Sequence, residues 1–154
     1  MKSPQLRSGF TLIELLVVIA IIGVLSAVVL ASLNTARTKG NDAAVQADIT
    51  GIRTQAQLYY SDNGSYGPAS AAVVSDCAAT DNVFSESTIQ KQIAGADTAN
   101  TPDGSITCNV AADGTAYAVS AEFVTTPDTY FCVDSTGIAT TTTAALGATG
   151  TACS

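Results

Sequence analysis

From residue 10 to residue 36 the chain carries one charged side chain, Glu14, and residues 15–33 are almost entirely Leu, Val, Ile and Ala. At about 1.5 Å per residue, a helix over residues 10–33 reaches about 36 Å, enough to cross a hydrocarbon core of about 30 Å with some tilt. The pattern then turns amphipathic. Val45, Ile49, Ile52, Ala56 and Tyr59 recur at intervals of four and three, while Asp42, Gln46, Asp48, Arg53 and Gln57 take other positions. A single apolar stripe marks a helix lying on another layer. Being short and containing Ala, the stripe suits a sheet better than a coiled-coil seam. Gly40 and Gly51 weaken this helix without ending it, and Asp62-Asn63-Gly64 supplies the stop. One long helix over residues 10–61 is expected, half apolar all round and half striped.

Residues 64–83 read as an irregular loop. Ser85 then reads as the cap of a short helix over residues 86–94, with Gly95 as its stop. From Ile106 the period falls to two: Tyr117, Val119, Ala121 and Phe123 take one strand face, and Ala118, Ser120 and Glu122 the other. Asp113-Gly114 turns this strand back on residues 105–111, and Thr126-Pro127-Asp128 turns the chain again before residues 130–134. The expected fold class is α+β, one long N-terminal helix packed on a three- or four-stranded antiparallel sheet. The tail, residues 138–154, is rich in Thr and Ala and carries no charge. It reads as an edge strand or as a loop pinned by Cys153.

Composition narrows the chemistry. The chain of 154 residues is 47% hydrophobic and 12% charged, against about 25% charged in ordinary domains. Its 13 acidic and 6 basic side chains give a formal charge of −7, which opposes a nucleic-acid surface built from clustered Lys and Arg. There is no His, which removes His-dependent triads, most zinc sites and the commonest general base. The Ser and Thr hydroxyls have no base to activate them. No enzyme, metal or other cofactor is expected. Asp62, Asn63 and Ser65 could offer oxygens to calcium, but EF-hand spacing is absent and a plain turn is the preferred reading. Asp103 and Asp113 flank polar turns and read as solvated. Tyr59, Tyr60 and Tyr66 read as packing against the loop.

The apolar run admits three accounts. A secretory signal peptide would use Val29-Leu30-Ala31 as its small-residue site, but its apolar core is normally only about 7 to 15 residues. An uncleaved signal anchor explains the span but not the acid within it. The third account is a leader that ends at Gly9. An acidic side chain inside a membrane helix costs about 2.5 to 3.5 kcal/mol, so one that persists has a partner or a function. Glu14 near the helix start is favoured by the positive end of the dipole. A cut after Gly9 would add a new amine on Phe10, four residues before Glu14.

Residues 8–25, Ser-Gly-Phe-Thr-Leu-Ile-Glu-Leu-Leu-Val-Val-Ile-Ala-Ile-Ile-Gly-Val-Leu, resemble the prepilin signature of type IV pilins and of the related pseudopilins of type II secretion. The resemblance is specific over residues 8–60, and beyond them extends to architecture alone. It implies a pilin fold and a membrane prepilin peptidase that cuts between Gly9 and Phe10 and N-methylates Phe10. It further implies that Glu14 pairs with the Phe10 amine of a neighbouring copy as helices are drawn into a filament. Gly23 matches a helix-weakening glycine of the family, but Ala31 stands where many members carry proline, and Gly alone opens no backbone bond.

The implied organisation is a leader over residues 1–9, a membrane and filament-core helix over 10–36, an amphipathic helix over 37–63, and loop, short helix, sheet and tail over 64–154. Lys2 and Arg7 on one side of the span are nearly balanced by Arg37 and Lys39 on the other. The cysteines break the tie. Cys77, Cys108, Cys132 and Cys153 all follow the span, without C-x-x-C spacing, and read as disulfides in an oxidising compartment outside the cytoplasm. Four cysteines allow three connectivities. The expectation is Cys77 with Cys108 and Cys132 with Cys153, which staples the loop and the tail separately; the second pair resembles the disulfide-bounded terminal loop of many pilins. The functional expectation is a homo-oligomeric pilus subunit, stored in the inner membrane with its N-terminus cytoplasmic and handled by an assembly or secretion platform. The alternatives are a pseudopilin of a secretion or DNA-uptake system in a periplasmic filament, and a monomeric membrane-tethered binding domain.

Overall fold

The computed structural model describes residues 9–69, 72–101 and 104–153. The leader residues 1–8, with Lys2 and Arg7, and Asp103 lie outside the described residues. Helix α1 spans Leu12–Asn63, a single helix of 52 residues that continues through Gly23, Ala31, Gly40 and Gly51. The chain divides into two compact units, Met1–Arg37 and Thr38–Ser154. In the first, the large apolar side chains from Phe10 to Leu33 are exposed on every side of the helix.

In the second unit the predicted stripe is buried: Val45, Ile49, Ile52 and Ala56 have no exposed surface. Strands β1 (Ile106–Val110), β2 (Tyr117–Glu122), β3 (Tyr130–Asp134) and β4 (Ala139–Thr142) form an antiparallel sheet in the order β1-β2-β3-β4. Register sets Cys108 beside Val119 and Val119 beside Val133. Side chains of that face share one core with the stripe and with helix α2 (Ser87–Asn100). Tyr66 and Tyr117 meet edge-on at 4.7 Å between ring centroids, with Tyr60 tilted against Tyr66 at 4.8 Å and Phe84 edge-on to Tyr117 at 6.2 Å.

The short helix differs from its sequence reading at both ends. Glu86, not Ser85, caps it, its carboxylate accepting from the amides of Thr88 at 2.7 Å and Ile89 at 3.0 Å. Ser85 closes a 3₁₀ turn over Val83–Ser85. Gly95 does not stop α2, which continues to Asn100. A Cβ on Gly95 would stand 2.6 Å from Asp48 Oδ2, and one on Gly51 would strike Gln92 Nε2. These glycines leave room between α1 and α2 for the ends of the Asp48 and Gln92 side chains, and neither breaks its helix.

The sheet face away from α1 is also covered. Asn109, Ala118, Ser120, Cys132 and Asp134 lie on it and are all buried, because the tail crosses over them. Asn109 Nδ2 donates to the carbonyls of Gly147 and Gly150, both at 2.8 Å, while its Oδ1 accepts from the Ser75 amide at 2.7 Å. Disulfides join Cys77 to Cys108 and Cys132 to Cys153. The tail is thus both things its sequence allowed, an edge strand in β4 and then a loop held at Cys153. The loop after α1 is irregular yet engaged, since Val73 exchanges two backbone bonds of 3.0 Å with Val110 and covers the β1 edge. Gly114, at φ +69°, makes the β1–β2 turn, where a Cβ would collide with the Gly67 carbonyl.

Two polar side chains of α1 within this unit hold loops of the sheet. Asp42 accepts from the Val124 amide at 2.8 Å and from the Thr125 hydroxyl, and Arg53 Nη1 donates to the Gly137 carbonyl at 2.9 Å. The helix therefore grips the loops at both ends of β3.

Candidate functional site

The sequence points to residues 9–14, and there the chain passes from non-helical backbone into helix. Gly9, Phe10 and Thr11 precede the first helical residue, Leu12. The Gly9–Phe10 bond lies in exposed backbone, with no atom within 4 Å of a Cβ built on Gly9 and with Phe10 87% exposed.

Glu14 is held by Thr11. Its Oε2 accepts from the Thr11 amide at 2.9 Å and the Thr11 hydroxyl at 2.8 Å, while the Glu14 amide donates back to Thr11 Oγ1 at 3.2 Å. The Thr11 carbonyl accepts the first helical bond, from Leu15, at 3.3 Å. This is a capping box, in which side chains at the first and fourth positions satisfy each other's orphan backbone donors. Sequence reasoning named Glu14 and passed over Thr11, although Thr-x-x-Glu before an apolar run is a legible signal for the motif. In the uncut chain Phe10 lies just outside the helix.

From Leu15 to Leu25 the helix surface beyond Glu14 is apolar on every side. Leu12, Ile13, Leu15, Leu16, Val17 and Val18 are all about half exposed or more, and α1 contains a segment long and apolar enough to cross a membrane, none of it buried within the molecule. Contiguous apolar surface of this extent requires lipid or other protein to cover it.

The other candidates resolve into structural roles. At Asp62, Asn63 and Ser65, Asn63 Nδ2 donates back to the Tyr59 carbonyl at 2.9 Å, and Gly64, at φ +73°, donates to the Tyr60 carbonyl at 2.7 Å. That is a left-handed helix stop. Among the described residues no three acidic or cysteine side chains gather as a metal would require. Asp113 accepts from the Thr115 amide and hydroxyl at 3.0 and 2.7 Å, which holds its carboxyl below the usual range. Burial pushes the Tyr117 hydroxyl up, reinforced by Tyr66 and Asp134 and partly offset by Arg53.

Residues 5–30 match the family model of the prokaryotic N-terminal methylation motif. The chain is similar to the type IV wide pilus major component PilA4 of Thermus thermophilus, 46% identical over 67 residues, which are 44% of this chain and 51% of that protein. It is also similar to type II secretion system core protein G, at 38% identity over 60 residues in Dickeya chrysanthemi, 39% of each chain. The Escherichia coli protein of that name is 35% identical over 66 residues, 43% of this chain and 46% of its own. The chain thus matches about half or less of the length of these relatives. No solved structure matches.

Proposed function

We propose that the chain is the structural subunit of a type IV pilus-like filament, stored in the inner membrane and assembled through its apolar helix after the leader is removed. The observation that carries this reading is the bare apolar half of α1, headed by one acid directly after an exposed Gly9–Phe10 bond. The methylation motif over residues 5–30 supports cleavage there and N-methylation of Phe10 by a prepilin peptidase. Before assembly, lipid covers the helix; in the filament, other copies do. Head-to-tail contacts that do not close give a helical array. The disulfide-stapled unit stays outside the cytoplasm, where its cysteines oxidise.

Glu14 sets the register. In the uncut chain its carboxylate is satisfied by Thr11; in the filament it pairs with the Phe10 amine of a neighbouring copy, which offsets the cost of taking the acid out of water. Mass spectrometry of the mature N-terminus tests the processing step: a chain starting at methylated Phe10 supports it, and an intact Met1 or a start at Ser32 overturns it. Glu14→Ala tests the register. Assembly at the wild-type rate and axial repeat would remove Glu14 from the mechanism.

The similarity to core protein G favours a second reading, a pseudopilin in a short periplasmic filament. Immunogold labelling of intact cells separates the two, since surface filaments carry the label only under the first.

A further inference from the structure

The two edges of the sheet are treated differently. Val73 covers the β1 edge, whereas β4 ends the sheet and, among the described residues, no backbone hydrogen bond reaches its outer side. The Asp134 amide donates to the Ile138 carbonyl at 3.1 Å. Because antiparallel pairs alternate between bonded and non-bonded, Thr140 and Thr142 point their backbone groups at β3, and Ala139 and Thr141 point theirs outward. Natural edges are blunted by Lys, Pro, a bulge or an inward charge. Ala139, Thr140, Thr141 and Thr142 supply none of these, and β-branched Thr suits a strand.

We propose that β4 is a docking edge for a second copy of this chain, the two strands joining antiparallel about Thr140. In this register Ala139 of one copy faces Thr141 of the other, and every outward amide and carbonyl of both residues is paired. Two charge arguments select this partner and this direction. Without residues 1–9 the chain has 13 acidic and 4 basic side chains, a formal −9, so copies approach at least cost where charge is absent, and residues 135–154 have none. Antiparallel pairing also keeps the acidic ends of the two copies apart. At the Gly137 end of β4, Arg53 offsets Asp134. Glu122, which accepts from the Asp128 amide at 3.1 Å, lies at the other end, in line with Tyr130 and Thr142. Parallel pairing would bring acid to acid.

The two-fold axis of such a pair stands normal to the sheet and reverses every element lying along it, including residues 38–63 of α1. Joined copies therefore point in opposite directions and cannot be neighbours in one polar filament. Resting on the proposed function, the consequence is that β4 edges tie separate filaments side by side, each contact weak and the sum strong through repetition.

The test is sedimentation of the full chain in detergent micelles over increasing protein concentration. Thr141→Pro removes an outward amide that the β3–β4 ladder does not use, and Thr141→Lys adds the guard that natural edges carry. Both are expected to weaken self-association at least about tenfold, while Thr141→Val retains it and the circular dichroism of all three matches wild type. Wild-type association unchanged in both Thr141→Pro and Thr141→Lys, or lost equally in Thr141→Val, overturns the pairing. If filaments never form but the edge variants still dissociate the chain, the filament reading fails and the edge stands.

Discussion

The two units solve the hydrophobic problem in opposite ways. Residues 12–33 place large apolar side chains on all sides of a helix and bury none of them. The unit from Thr38 onward buries its apolar set in one core, covers the far sheet face with its own tail and fastens the tail with a disulfide. Side-chain packing decides stability in the second unit; in the first, only the backbone and the surroundings do. The same substitution should therefore give different results in each.

Truncation is the widest test. Phe84→Ala, in a fully buried site against Tyr117, should cost about 3 to 5 kcal/mol in thermal unfolding of the detergent-solubilised chain, whereas Val18→Ala should leave the same transition in place. Replacing Cys132 and Cys153 together with Ala should cost about 2 to 4 kcal/mol, read from the shift in denaturant midpoint. Hydrogen exchange should report the loss first at residues 143–153.

Glycine sharpens the contrast because it reverses the sign. Gly114→Ala drives a methyl into the Gly67 carbonyl at a left-handed φ of +69° and should destabilise by about 1 to 3 kcal/mol. Gly23→Ala meets nothing within 4 Å and should strengthen its helix by about 1 kcal/mol, seen as reduced amide exchange around residue 23.

Two acids give the smallest effect, visible as pH dependence. Burial pushes Asp134 up, but the Cys153 amide, the Thr136 hydroxyl and the Ile138 and Thr136 amides outweigh it, so its pKa is lowered on balance. Its stabilisation is complete above the ordinary carboxylate range and is lost as pH falls through the depressed value, below about pH 4. Asp48 is raised by burial between α1 and α2 and acts in the reverse sense, favouring the folded state while protonated and opposing it as pH rises through its pKa. In a plot of melting temperature against pH, Asp48→Asn should flatten the decline above about pH 4 and leave the acid limb of Asp134 intact.

Local pattern made much of this fold readable. The stripe from Val45 to Ala56, the alternation from Tyr117 to Glu122 and the Asp113-Gly114 turn depend on neighbours a few residues away, and sequence period reports such neighbours directly. What escaped was set by distant chain. Gly95 looked like a stop because nothing local reveals Asp48 across the helix crossing, and Asp42 and Arg53 showed only as positions off the apolar stripe because the loops they hold lie more than 80 residues later. The buried state of Ala118 and Ser120 depends on a tail whose path no local rule predicts. Of the candidate site, Glu14 stood out as the one charge in an apolar run, and Gly9 and Phe10 followed from the resemblance carried by residues 8–25, while the Thr11 signal, legible in the Thr-x-x-Glu spacing, was overshadowed by an acid read for its charge alone.

The path of that tail is fixed through its main chain. Gly147 and Gly150 are held by their carbonyls and Cys153 by its amide and its disulfide, so the anchoring asks almost nothing of the side chains between them. Apart from half-buried Leu146 and Thr151 and from Gly150, where a Cβ would crowd the Gly147 backbone, the stretch from Thr143 to Ala152 is an exposed surface whose route is held and whose lettering is free. It can drift in sequence over generations, or accept a designed epitope, while Asn109 and Asp134 beneath it stay unchanged.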